Sequence, residues 1–405
     1  MRRSIFTLFV VLMLASIALS ACAPAAAAQV VIQTSVPVTV KETVQVPVQQ
    51  TVVVTQVVAP TQAATPVPGS VQINGSGATF PLPIYTQWTY AYQYVDPSVA
   101  INYQGVGSGA GKKAIIDGTV DFAGSDSLVT DAEYTSGKDL QMYPALAGAV
   151  VVIYNVSGLA ATDPKIILDG KTLVGIYNAT IKTWNDPAIL ALNPGLKDKL
   201  LAKPITVVHR SDGSGTTEIF TKALTSFSPD WKAGGAQTVE WPVDKAGSGI
   251  GGKGNPGVAA AVQNTPNSLG YVELDYAVPN NILFTQLINK AGATVTANAE
   301  SLSSAINDFA GTFTDKLTNT IVDGPGAKSW PISGYTYYVL HTTSMKDCTK
   351  AQKILQYITW TLTDATAAKQ ASALGYAVLP DAVRKLVLDK LALVTCNGQP
   401  VLASK

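Results

Sequence analysis

The chain has 405 residues, 14% of them charged, with 28 Lys and Arg against 27 Asp and Glu and a formal net charge of +1. That length allows two or three domains with ample core for each, and charge so evenly balanced offers no basic stripe to a nucleic-acid partner. Two histidines and three cysteines, widely spaced, form no ligand cluster, so neither a metal nor a cofactor is expected.

Residues 1–21 read as an export signal. Arg2 and Arg3 form a positive head, residues 5–19 an apolar run, and Ser20-Ala21 a small-residue exit. The run has the length of a signal core and is short for a membrane span. Cys22 follows, and "LSAC" resembles the lipobox of bacterial lipoproteins, which implies cleavage before Cys22 and acylation of its thiol and new amino end. An ordinary secretory signal with an incidental cysteine is the alternative; both predict an exported protein.

Residues 22–70 change composition to Ala, Val, Thr, Gln and Pro, almost without charge. Val and Thr favour extended chain, whereas Pro37, Pro47, Pro60, Pro66 and Pro68 prevent a continuous sheet. We read this segment as an extended tether with little core of its own, with a reach of roughly 150 Å. A β-rich stalk is the alternative.

From Val71 onward, strand-like and helix-like segments alternate. "VQINGSG" is a strand running into a glycine turn, and "PLPIYTQWTYAYQYV" a helix opened by prolines. "AINYQG", "VGSGAG", "KKAIIDG" and "VDFAGSD" follow as strand, loop, helix and strand. Further strands are expected at residues 149–156, in "PITVVHRS" and at 335–341, with helices in "TTEIFTKALTSF" and "KAQKILQYITWTLT". The alternation predicts an α/β fold on a mainly parallel sheet. The glycine-rich stretch 244–257 reads as mobile surface, with a further anion loop as the alternative. Beyond Cys22, Cys348 and Cys396 make an even pair, expected to bond in an oxidising compartment unless both are buried thiols.

Three polar turns recur at the junction of a strand and a helix: "GSGATF" (75–80), "GVGSGAG" (105–111) and "RSDGSGTT" (210–217). Ligands of open α/β sheets gather at such strand ends, and the unpaired N–H groups of a helix start suit an anion. Each Ser or Thr, taken alone, is as well explained by capping its own helix. Three such turns together with Arg210 favour an anion site. Rival motifs fail on spacing. A Walker loop would need glycine at Val106 and a hydroxyl at Lys113. A dinucleotide fingerprint through Gly105, Gly107 and Ala110 lacks its acidic partner at the right distance. "DGSGT" is out of phase for a serine-hydrolase elbow. His209, adjacent to Arg210 in a strand, should point to the opposite face, and His341 reads as a strand-end residue and not a base.

Asp126, which ends the strand "VDFAGSD", is either a turn residue or a ligand. A carboxylate facing an anion is repulsive unless the anion brings a proton. Monohydrogen phosphate does, and sulfate at neutral pH does not. A buried Asp126 would therefore reject sulfate by leaving a polar group unmatched.

"GSGATFPLPIYTQW", "INYQGVGSGAGKKAIIDGTVDFAGSD" and "VVHRSDGSGTTEIF", with "SLGYVELDYA" and "SWPISGYTYYVL" later, resemble the phosphate-binding proteins of bacterial phosphate ABC importers, the PstS family. The resemblance runs from about Val71 to the C-terminal region and excludes the tether. It implies a two-lobed periplasmic-binding-protein-like α/β fold (type II) with two crossover segments and the ligand in the interlobe cleft. The lobes would comprise residues 71–147 plus 326–405 and residues 148–325, with crossings near "MYPALAG" and "GAKSWPIS". It further implies phosphate ligands at Thr79, Phe80, Ser108, Asp126, Arg210, Ser214, Gly215 and Thr216, with Phe80 and Gly215 acting through backbone N–H and Asp212 orienting the arginine.

Capture of inorganic phosphate without chemistry is the function expected. The protein would be a monomer held by lipid on the extracytoplasmic face of the cell membrane, delivering its cargo to an ABC permease. A binder of sulfate or molybdate and a phosphate-sensing surface protein are the alternatives. A phosphate-ester hydrolase is more remote, because neither a metal cluster nor an activated nucleophile is visible.

Overall fold

A computed structural model describes residues 69–402. The export segment, Cys22 and the tether up to residue 68 lie outside the described residues.

The chain order begins with β1 (Val71–Gly77), α1 (Leu82–Val95), β2 (Val99–Gly105), α2 (Ser108–Ile116), β3 (Phe122–Ser125) and a long β4 (Leu140–Asn155). It continues with β5 (Thr206–Arg210), α3 (Gly215–Phe227), β6 (Gly249–Gly252), α4 (Gly254–Asn264) and β7 (Ser268–Glu273). Then come β8 (Ser333–His341), α5 (Cys348–Thr363), α6 (Ala365–Ala373) and α7 (Asp381–Leu391). Proline in the first turn of α1 costs no hydrogen bond, because the first N–H groups of a helix have no partner within it. Ile84, Tyr85, Trp88 and Tyr92 of α1 share one face and are buried, and the Tyr85 ring stacks on Tyr338 of β8 at 5.1 Å.

These strands hydrogen-bond in the order β2-β1-β3-β8-β4-β7-β5-β6. The two ends of the sheet are parallel: β1 pairs with β2 and β3, and β5 with β6 and β7. The centre departs from the expected mainly parallel sheet. There β8 runs antiparallel to β3 and β4, and β4 antiparallel to β7. Apolar alternation locates strands but carries no information on their direction, which depends on where the connecting chain returns.

One strand serves both halves. Residues 140–149 of β4 pair with β8, and residues 150–155 pair with β7. The expected crossing "MYPALAG" is thus the interior of a continuous strand. Beside it the chain returns before β8: Val150 donates its N–H to the Ile332 carbonyl, and the Trp330 indole donates to the Val150 carbonyl at 2.9 Å. Every residue of 140–154 is buried, and apart from Gln141 the run is accordingly apolar instead of alternating. Pro144 lies within it, where its missing N–H breaks the ladder. The register with β8 shifts between Thr336 and Tyr337, next to the Tyr337–Pro144 pair. On its other edge β8 pairs with β3, Tyr337 opposite Ser125, which puts Thr336 opposite Asp126 and so at the site described below.

Cys348, at the start of α5, is disulfide-bonded to Cys396. Among the described residues no helix is long and apolar enough to cross a membrane.

Candidate functional site

Four strand-to-helix turns face one another. The β1–α1 turn carries Thr79 and Phe80, both buried. In the β2–α2 turn, Gly107 takes a φ of +99°, a conformation that L side chains rarely adopt, and delivers Ser108 as the first residue of α2. The β5–α3 turn begins at Arg210, and Ser214 caps α3 by accepting the Thr217 N–H at 3.1 Å. The β6–α4 turn contains Gly254, with φ +70°, and the fully buried Asn255. Most of residues 244–257 lie at the surface as expected, but Gly252, Gly254 and Asn255 are buried and form this fourth turn. Its glycines permit close packing: a β-carbon on Gly252 would meet the Val258 nitrogen at 2.7 Å.

The turns are joined by hydrogen bonds across the halves. Ser108 Oγ accepts the N–H of Asp126 at 3.2 Å and that of Gly215 at 3.1 Å. Gly109 N–H donates to the Gly213 carbonyl at 3.0 Å. Asp126 Oδ1 accepts from the Thr336 hydroxyl at 2.8 Å, while Ser108 Oγ stands 3.4 Å from Oδ2. Arg210 grips Asp212 with two parallel bonds, Nε to Oδ1 at 2.7 Å and Nη2 to Oδ2 at 2.6 Å. Its Nη1 donates to Thr216 Oγ1 at 3.4 Å. Asp212 Oδ1 also accepts the Gly254 N–H at 3.0 Å.

The electrostatics follow from burial and partners. Burial pushes the Asp126 carboxyl up to about 7, against the opposing pull of the Thr336 hydroxyl, the Arg210 charge and the Ser108 hydroxyl. Burial works the same way on Asp212, but the Arg210 hydrogen bonds and charge, together with the Gly254 N–H, outweigh it and hold that carboxyl below the usual range. Asp212 thereby locks the guanidinium plane and tempers its charge. What remains is a buried set of N–H, O–H and guanidinium donors with one protonatable acceptor, Asp126. A donor set with one acceptor matches a tetrahedral oxyanion that shares a single proton with the protein.

The residues singled out from sequence fall in two hydrogen-bonded groups, Ser108, Asp126 and Gly215 in one and Thr79, Arg210, Asp212 and Thr216 in the other, which meet at the Gly215–Thr216 peptide. Phe80 adjoins them, its carbonyl accepting from the Tyr376 hydroxyl at 2.7 Å. The Ser214 hydroxyl accepts at its own helix start and keeps its proton to donate. His209 turns away, bonded to Asp244 at 2.7 Å and stacked on Trp241. His341 pairs with Asp139 at 2.6 Å.

Sequence reasoning missed Asn255, Thr336, Glu273 and Tyr376. Asn255 had a signal, since it follows a strand and a glycine turn as Ser108 does. Thr336 had none, being one residue of an apolar strand.

Two half-sheets that share a central strand, with polar turns converging on a buried cleft between them, define a two-lobed solute-binding protein of the periplasmic type. Residues 60–365 match the family described as the PBP superfamily domain. The chain is 34% identical to the phosphate-binding protein PstS of Methanocaldococcus jannaschii over 81% of this chain and 87% of that protein. It is 38% identical to PstS of Pasteurella multocida over 77% of this chain and 87% of that one. The chain belongs to the PstS family of phosphate-binding proteins. Solved structures share the fold. A high-affinity periplasmic phosphate-binding protein (PfluDING) bound with phosphate aligns with a TM-score of 0.63 at 22% identity, over 78% of this chain and 93% of that chain. A phosphate-binding protein from Stenotrophomonas maltophilia aligns at 0.60 and 21%, over 83% of this chain and 98% of that chain.

Proposed function

We propose that this protein captures inorganic phosphate outside the cytoplasmic membrane and delivers it, unaltered, to the permease of an ABC importer. The observation that carries the reading is the meeting of Ser108 and Asp126 from one side of the cleft with Arg210, Gly215 and Thr216 from the other, one carboxyl among donors. Relatives more than 30% identical over most of their length bear the name phosphate-binding protein PstS.

In this reading Thr79, Ser108, Ser214 and Thr216 donate hydroxyl protons, Phe80 donates its backbone N–H, and Gly215 donates its own in exchange for the bond to Ser108 Oγ. Arg210 supplies charge held in register by Asp212. One proton lies between Asp126 and the anion, whichever of the two brings it. The polar lining replaces the hydration shell that the anion loses, and the guest undergoes no bond change. A lipid on Cys22 and the tether of residues 22–70 would keep the binding lobes near their permease.

The test is calorimetric titration of the purified protein with phosphate and with sulfate at mildly alkaline pH. Phosphate is expected to bind far more tightly. Equal affinity for the two anions would remove the role given to Asp126, and no phosphate binding at all would end the reading.

A further inference from the structure

The Thr79 and Thr216 hydroxyls belong to opposite halves of the cleft, and a single side chain addresses both. Asn255 Nδ2 donates to Thr79 Oγ1 at 3.1 Å and to Thr216 Oγ1 at 3.1 Å, using both of its protons. The Asn255 backbone N–H donates a second bond to Thr79 Oγ1, also at 3.1 Å. Its Oδ1 accepts the N–H of Glu273, the last residue of β7, at 3.1 Å. That last bond decides which way round the amide lies, because the Glu273 N–H can face an oxygen and not an NH2 group.

Counting lone pairs gives the consequence. A hydroxyl carries one proton and two acceptor positions. Thr79 Oγ1 receives two donors, both from Asn255. Thr216 Oγ1 receives two, one from Asn255 and one from Arg210 Nη1. In each case both acceptor positions are taken, and only the proton is left to spend. Both residues are buried, so bulk water is not the alternative recipient.

We infer that Asn255 is a positioning residue for anion binding: by saturating the Thr79 and Thr216 hydroxyls with donors, it commits their protons to the oxygens of the guest. It acts through the two threonines. Without it, each hydroxyl is free to turn its proton onto a backbone carbonyl or a neighbouring acceptor and to offer the anion a lone pair, which repels. The device is assembled only when the halves meet, since Thr79 lies just after β1 while Asn255 and Thr216 lie in the first turns of α4 and α3. This inference rests on the anion-binding reading above and adds to it a residue that sets the polarity of the lining.

The experiment is a double-mutant cycle on phosphate affinity with wild type, Asn255→Leu, Thr79→Val and the double variant, read by calorimetry. Thermal unfolding without phosphate runs in parallel. Asn255→Leu is expected to weaken phosphate binding by about ten- to a hundredfold. In the Thr79→Val background the same substitution should cost several-fold less, because the hydroxyl it orients is already gone. A merely structural role would lower the unfolding temperature and leave the two losses additive. Additive losses overturn the inference, as does unchanged affinity in Asn255→Leu. If Asn255→Leu does not fold, Asn255→Ala takes its place in the same cycle. Wild-type protein that fails to bind phosphate overturns the functional reading itself, whereas wild-type binding with an additive cycle overturns this inference alone.

Discussion

Gly215 lies so close to Asp126 that a β-carbon placed on it would sit 2.4 Å from the Asp126 carbonyl carbon and 2.5 Å from its Cβ. The first comes from the helix start of α3 and the second from the end of β3, on opposite sides of the cleft. No side chain fits between them, and the contacted atoms include main chain that cannot swing away. Gly215→Ala is therefore expected to hold the halves apart and weaken phosphate binding by roughly a hundredfold, about 3 kcal/mol. Calorimetry of the variant checks this; unchanged affinity would mean that the approach is not needed in the bound state.

Asp126 ties function against stability. Its carboxyl titrates at about 7 in the folded protein and near 3.8 as an unperturbed group. Between those values the folded protein holds a proton that the unfolded chain has released. Its contribution to stability is therefore lost as pH rises through that window. Asparagine does not titrate, and its amide can occupy the same bonds to Thr336 and Ser108. Asp126→Asn should thus be more stable than wild type at pH 7, by no more than about 4 kcal/mol, with the advantage shrinking toward pH 4. Phosphate affinity should fall in the same variant, because the strong acceptor is gone. Unfolding temperatures measured from pH 4 to 8 without ligand, together with a phosphate titration, test both halves of this expectation.

The same carboxyl makes selectivity pH-dependent. Sulfate brings no proton at neutral pH, so its admission requires Asp126 to carry one. Above about 7 that form declines tenfold with each pH unit. Phosphate, which brings a proton, escapes this penalty. The ratio of phosphate to sulfate affinity should rise from about pH 8 to pH 9 in competition titrations, where phosphate is already the monohydrogen form, and should lose that rise in Asp126→Asn.

Glu273 should be a neutral acid. The Tyr376 hydroxyl lies 2.7 Å from the Phe80 carbonyl and 3.0 Å from Glu273 Oε2. The tyrosine proton is shared between these two acceptors, and Glu273 Oε2 also accepts the Asp275 N–H at 2.9 Å. Burial, with Asp275 nearby, pushes the Glu273 carboxyl well above the usual carboxylate range, which supports the neutral form. Glu273→Gln, uncharged like the buried acid and with an oxygen left to accept the Asp275 N–H, should bind phosphate like wild type and lack the carboxylic-acid C=O stretch seen by infrared difference spectroscopy. Glu273→Ala should lose roughly 1–3 kcal/mol of stability. A Gln variant as damaged as the Ala variant would show that the charge, and not the proton, is required.

Legibility in the sequence followed the range of the interactions involved. The turns carrying Ser108, Arg210 and Gly215 were visible because the chemistry is local: a β-branched strand, glycines for the tight turn, and a hydroxyl at the helix start. The stretch at 244–257 obeys the same rule but reads as surface, because its glycines outnumber its polar residues and hide the single Asn255. Thr336 stayed invisible for a different reason. It sits in the apolar strand "YTYYVLH" and reaches Asp126 because β8 runs antiparallel to β3 with Tyr337 opposite Ser125, which brings Thr336 opposite Asp126.

By itself, then, the order of residues determined which segments are strands and helices, which turns carry hydrogen-bond donors, and that Asp126 ends a strand among small residues. Those properties depend on neighbours a few positions away. The tertiary structure alone decided that β4 is shared by both halves, that the central strands run antiparallel, and that one amide joins Thr79 to Thr216. These depend on segments far apart in the chain, such as Thr79 and Asn255 at 176 residues and Thr336 and Asp126 at 210, brought together by burial of a common core, and no local pattern encodes that distance.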